Sequence, residues 1–218
     1  MMKDVKQCFK LLKYGYQMKT NIACACIFVV LGIIFTILSH YNFMMGTMYI
    51  YLGMMFVMQP MYMILFSECV AASPRRKKIE IRYVDILNVI GGLLSSVVVI
   101  TLALLIRHKD MEGVSVESVL VISGMLAFML YCYMSMSFKY MLVGTLLFMG
   151  SFWGIMLFQT KLDIFFGNAL GGNTLLAVVI FLVENVLGIV CAHGIRKLLY
   201  RKSMSKLAMG AKLRMELS

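Results

Sequence analysis

The stretch TLLAVVIFLVENVLGIVCAHGI, residues 174–195, decides what kind of protein this is. It is 22 residues long and holds a single charged side chain, Glu184. A helix needs about 20 apolar residues to cross the hydrocarbon of a bilayer. Five more runs have the same character: Asn21 to Ser39, Phe43 to Phe66, Val84 to Ile106, Ser118 to Ser137 and Met141 to Phe158. The six runs take up 126 of 218 residues. They are continuously apolar, whereas the strands of a transmembrane barrel alternate in segments of about ten residues. The expected fold is an all-α polytopic membrane protein with six transmembrane helices.

The composition agrees. The chain is 61% hydrophobic and 14% charged, against roughly half and one quarter for a soluble domain. A soluble globule and a disordered chain are excluded. The net charge of +11 would suggest nucleic acid in a soluble protein, but its distribution gives another reading. With the N-terminus in the cytoplasm, 18 Lys and Arg fall on the cytoplasmic side and 3 outside. This is the positive-inside bias. It places both termini in the cytoplasm and removes the argument for a nucleic-acid partner. The expected location is a bacterial cytoplasmic membrane, with lipid as the surrounding partner.

Little chain remains outside the spans. Residues 1–19 carry Val5, Cys8, Phe9, Leu12 and Tyr16 at helical spacing among lysines, the pattern of an interfacial amphipathic helix. The tail, 196–218, has a second helical pattern through Tyr200, Met204, Leu207 and Ala211. The outer connections are read as about three, eleven and fifteen residues. Asp110, Glu112 and Glu117 are read as solvated loop carboxylates. The six cysteines lie in spans or on the cytoplasmic side without a CxxC pair, so neither disulfides nor a cysteine metal site is expected.

The longest internal cytoplasmic connection is Ser67 to Tyr83. Ser73-Pro74 suits a helix start, with serine as cap and proline in the first turn. The residues Ser73, Pro74, Arg75, Arg76, Lys77, Lys78 and Ile79 fit a short basic helix standing off the membrane, and equally a topogenic basic loop, which their charge alone favours.

These features resemble the membrane subunit of a type-2 ABC exporter. In that family six spans, an N-terminal elbow helix and a coupling helix between spans two and three go together. The segment from Ala71 to Glu80 resembles the coupling helix of small bacterial permeases. The small size and short outer loops are most similar to exporters of membrane-active peptides, such as the phenol-soluble modulin and antimicrobial peptide exporters. The resemblance implies that Ser73 to Ile79 dock on a separate ABC ATPase, present in two copies. It implies that ATP and Mg are held by that partner and no cofactor by this chain. It also implies a second permease chain, most simply as a homodimer. In such exporters a re-entrant hairpin lies between spans five and six, and the stretch from Gln159 to Asn173 is read as one.

No P-loop sequence, HExxH or GxSxG occurs, so no catalytic residue or metal ligand is assigned. Glu184 and its neighbour Asn185 are candidates for a substrate path or subunit interface. A carboxylate at mid-membrane costs at least about 2.5 kcal/mol on insertion scales unless it faces protein or water. Pro60 is expected to kink the second span and open a lateral cleft. The methionines of that span are read as lipid-facing mass, with a deformable peptide-binding surface as the functional alternative. Gly91 with Ser95, Gly92 with Ser96, and Gly150 with Gly154 are expected helix contacts in spans three and five.

The expected function is export of an amphipathic or hydrophobic substrate, a membrane-active peptide by resemblance, driven by ATP on another subunit. A non-transporting protein, such as a bacteriocin immunity factor or a sensor, is the alternative, and an adjacent ATPase gene would separate the two. A secondary transporter would show inverted repeats and more buried ionisable groups.

Overall fold

The structure is a computed structural model that describes residues 2–13, 15, 17–38, 43–66, 70, 73–107, 115–137, 139–200 and 202. Among the described residues, seven α-helices and one π-helix make up the fold. They are α1 (Met2–Lys13), α2 (Met18–Leu38), α3 (Phe43–Phe66), the π-helix (Lys78–Tyr83), α4 (Val84–Arg107), α5 (Val116–Ser137), α6 (Met141–Leu170) and α7 (Thr174–Leu199).

Among the described residues, five segments are long and apolar enough to cross a membrane: Met18–Ile37, Lys78–Leu105, Val116–Ser137, Met141–Leu170 and Thr174–Leu199. The expected second span is a 24-residue helix, α3, but is not among the five. It holds no charged side chain and is as apolar on average as most of the five, and much of its surface meets protein. Met54, Met58 and Met61 are buried in the main core, which corrects their reading as lipid-facing mass. They pack with Leu12, Ile79, Leu87 and Leu130 from other elements. Pro60 is buried too, with the chain between α1 and α2 lying over it. A Cβ on Gly15 would stand 2.7 Å from the Pro60 Cβ, so only glycine fits there without displacement.

Helix α5 is the most enclosed of the five spans and packs chiefly on α7 and α6. The strongest contact of α2 is with α3. There the backbones approach closely at Gly32, where a Cβ would meet the Gly46 carbonyl at 2.7 Å. Small residues let helices approach where lipid supplies no hydrophobic drive. Among the outward hydroxyls, Thr101, Thr145 and Ser151 donate to the carbonyl four residues earlier, at 2.7–2.8 Å. Each polar group is thereby satisfied within its own helix.

Two expectations are overturned at the far end of α6. The stretch read as a re-entrant hairpin, Gln159 to Asn173, is helix as far as Leu170. The expected fifteen-residue connection is thus a turn of three residues, 171–173. Gly171 and Gly172 adopt positive φ of 53° and 79°, and Asn173 caps α7 by accepting from the Leu176 N–H. The apolar residues of this stretch continue the helix, with Ile164 and Phe165 exposed and Phe166 against the core. Gly150 and Gly154 meet nothing within 4 Å among the described residues, so the expected contact in span five is not made there. Gly91 and Gly92 do pack, on Met54 and Tyr131.

The tail reading, 196–218, is met only as far as α7 runs, to Leu199; residues 203–218 lie outside the described ones. Asp110 and Glu112 lie outside them as well. Glu117 does not behave as a solvated loop group. It is 8% exposed and accepts from the Thr174 hydroxyl at 2.7 Å.

Candidate functional site

The sequence placed a helix start at Ser73-Pro74, and the local geometry agrees. The Ser73 hydroxyl accepts from the Arg75 N–H at 3.2 Å, and Ile79 N donates to the Arg75 carbonyl. No separate helix follows among the described residues. Lys77 and Val84 both have helical angles (φ −58° and −65°), so the chain runs from the turn through the π-helix into α4. The basic segment is the root of α4 rather than a free-standing rod. Pro74, Arg75 and Lys77 are exposed, Ser73, Arg76 and Lys78 are half-buried, and Ile79 is buried.

The π-helix is gripped from two sides. On one side Asp4 of α1 pairs with Lys78 at 2.6 Å and Arg82 at 2.9 Å. The lysine and arginine are four apart, so one carboxylate reaches both. The hydrogen bond from Lys78 is the main reason the Asp4 carboxyl lies below its ordinary range, with Arg82 adding to it. The Tyr83 hydroxyl donates to Gln7 at 2.7 Å, and Cys8 donates to the Tyr83 carbonyl at 3.6 Å. Burial pushes the Cys8 thiol up to about 11, so it is no reactive thiolate.

On the other side Glu80 accepts from Arg76 at 3.3 Å and pairs with Lys139 at 3.0 Å. Lys139 is fully buried. Its ammonium also donates to the carbonyls of Leu199, Tyr200 and Lys202 at 2.7, 2.8 and 3.1 Å. It therefore caps the end of α7, where the helix dipole and unpaired carbonyls favour a cation. The Tyr200 ring lies under both Arg76 and Lys139. One cation ties together the α4 root, the α5–α6 turn and the end of α7.

A second polar cluster lies one turn further in. Asp85 bonds Arg196, and its other oxygen is 2.7 Å from His193 Nδ1. Arg196, 4% exposed, also donates to Ser135 at 2.8 Å, and its guanidinium faces the Asn88 carboxamide, whose oxygen accepts from it when the amide is turned to match. The sequence reading had counted Arg196 and Lys139 only as topogenic charges. Lys139 shows only its isolation between two apolar runs, and Arg196, followed at once by Lys197, shows no local signal.

The remaining candidates, Glu184 and Asn185, face inward from α7. Asn185 accepts from Tyr131 at 3.3 Å and donates to the Phe181 carbonyl at 2.8 Å. The Glu184 side chain lies over Gly124 of α5, and its buried Oε2 has no hydrogen-bond partner among the described residues. Pro60 is remote from them in the chain, packed under the elbow. The described residues contain no group of three or more His, Cys, Asp or Glu placed to hold a metal.

The fold defines the class: a polytopic helical membrane protein with a basic, ion-paired hub at one end. No protein-family model, curated protein or solved structure matches the chain.

Proposed function

We propose that the chain is the permease subunit of an ATP-binding-cassette exporter in a bacterial cytoplasmic membrane. Both termini face the cytoplasm, α3 serves as the second of six spans, and a second permease chain completes the transporter. The substrate is amphipathic or hydrophobic, with a membrane-active peptide the preferred class. ATP and Mg belong to a separate ATPase, two copies of which engage the exposed Pro74, Arg75 and Lys77.

The observation that carries this reading is the mounting of that exposed basic turn. It continues into the π-helix, which is tied to α1 through Asp4 and to the α5–α6 turn and α7 through Glu80 and Lys139. A load applied at Lys77 therefore reaches α1 and the α5–α6 turn through ion pairs, and α7 through the hydrogen bonds of Lys139. π-segments often mark functional positions in helices, and this one supplies a register change that a push can alter. The re-entrant hairpin no longer supports the reading, because those residues are helix and turn.

The test is a photo-crosslinker placed at Lys77 in the full-length membrane protein, expressed in a bacterial host. The expected adduct is a protein with P-loop sequences, and its ATPase activity rises with the permease present. Arg75→Glu with Pro74→Gly is expected to remove both the adduct and the stimulation. Absence of any nucleotide-binding adduct, or adduct formation unchanged in that variant, sinks the reading.

A further inference from the structure

An apolar cleft of about 480 Å³ lies on the flank of the bundle, between α1, α2, α3 and α4. Ligand sites usually measure about 300–1,000 Å³. Its walls include Phe9, Cys26, Val29, Met58, Ile90 and Leu94. Its one hydroxyl, on Ser95, is already bonded to the Gly91 carbonyl at 2.8 Å. The cleft offers a polar ligand nothing to bind, so its occupant is hydrocarbon.

The rim has the opposite character. Phe9 belongs to the interfacial helix α1 and is 49% exposed. Lys6 and Lys13 stand three residues before and four after it, and share its helix face. Lys19 stands seven residues before Cys26, two turns away on the face of α2 that lines the cleft. All three lysines are exposed, and none forms an ion pair among the described residues. The acid of α1, Asp4, is held by Lys78 and Arg82. An apolar slot with three unpaired cations on one rim matches an anionic amphiphile of that leaflet.

We infer that this cleft binds the acyl chains of an anionic phospholipid, whose headgroup rests on Lys6, Lys13 and Lys19. The lipid joins α1 to α2, α3 and α4 where no direct side-chain contact fills the space. The inference is independent of the export reading, because the cleft and its rim need no ATPase.

The probe is phosphatidylglycerol, presented with an equal amount of phosphatidylcholine. The full chain is purified in mild detergent, given the mixture, washed, and weighed intact by native mass spectrometry. The expected result is retention of one or two phosphatidylglycerol molecules in preference to phosphatidylcholine. The triple variant Lys6→Gln, Lys13→Gln, Lys19→Gln should lower that preference by at least about fivefold, since each base near an anionic surface contributes on the order of a fivefold factor. Cys26→Trp fills the cleft from an exposed position and leaves the charge unchanged. It should lower retention of both lipids. Lys197→Gln, an exposed base on α7 away from the cleft, should change neither.

Equal retention of the two lipids by the natural chain overturns the inference, as does undiminished retention in Cys26→Trp. An equal loss in Lys197→Gln would reduce the effect to general surface charge and also overturn it. Displacement of bound phosphatidylglycerol by an amphipathic peptide at stoichiometric amounts would assign the cleft to a peptide instead.

Discussion

Lys139 Nζ lies 3.0 Å from Glu80 Oε1, and both side chains are buried, at 1% and 5% exposure. The two residues belong to different connections, and neither would tolerate burial alone. Glu80→Gln removes the buried carboxylate that faces the Lys139 ammonium. Breaking a buried pair from one side costs about 3–5 kcal/mol. A loss of that order is expected in thermal or denaturant unfolding in detergent, and a loss below about 1 kcal/mol would refute it. Replacing both residues by methionine should recover much of it, because no isolated charge remains.

The pair Asp85 and Arg196 predicts an unequal response to its two neighbours. Arg196 is buried and His193 is 49% exposed on its side chain. Asp85→Asn removes the only carboxylate bonded to Arg196 among the described residues, and a cost of about 3 kcal/mol or more is expected. His193→Gln touches a solvent-screened contact and should cost less than about 1 kcal/mol. The same unfolding assay reads both, and equal costs would contradict this assignment.

Gly124 and Glu184 form a steric pair. An added Cβ on Gly124 collides with the Glu184 carboxylate and comes within 3.2 Å of its Cβ. Gly124→Ala should therefore cost about 1–3 kcal/mol, the usual penalty for overpacking. In the double variant with Glu184→Ala the collision is gone. The two changes should be non-additive by at least about 0.5 kcal/mol in a double-mutant cycle. Additive costs would mean that the helices part without engaging Glu184.

The docking of α1 depends on the Asp4 carboxylate. Its folded-state value lies below the ordinary 3.8, chiefly through the hydrogen bond from Lys78. A depressed carboxyl stabilises the docked form fully above the ordinary value. That contribution disappears as pH falls through the lower folded-state value. Hydrogen exchange of α1 amides should be constant from neutral pH to about 5, after correction for intrinsic rates, and rise below about 4. Asp4→Asn should exchange quickly at every pH. A rise near pH 6 would assign docking to another group.

Much of the architecture was legible because membrane insertion is a local property. A run such as 174–195 carries its own reason to be a helix in lipid, since its apolar side chains and internally bonded backbone need no distant partner. The amphipathic α1 and the Ser73 cap were visible for the same reason. The end of α6 is not legible in the sequence, because a helix of 30 residues exceeds the usual span and the resemblance implies a hairpin there. Only the backbone shows that Gly167 remains helical and that Gly171 and Gly172 turn the chain.

Of the hub, only the isolation of Lys139 between two apolar runs was legible. Lys139 and Arg196 entered the sequence reading as bases that set topology. Their partners lie 59 and 111 residues away in the chain, beyond any local pattern. Sequence by itself determined which segments are apolar enough for the membrane and on which face of α1 the lysines fall. Tertiary structure decided which charges are withdrawn from water, because a buried ion survives only where folding brings an opposite charge and hydrogen-bond partners to it.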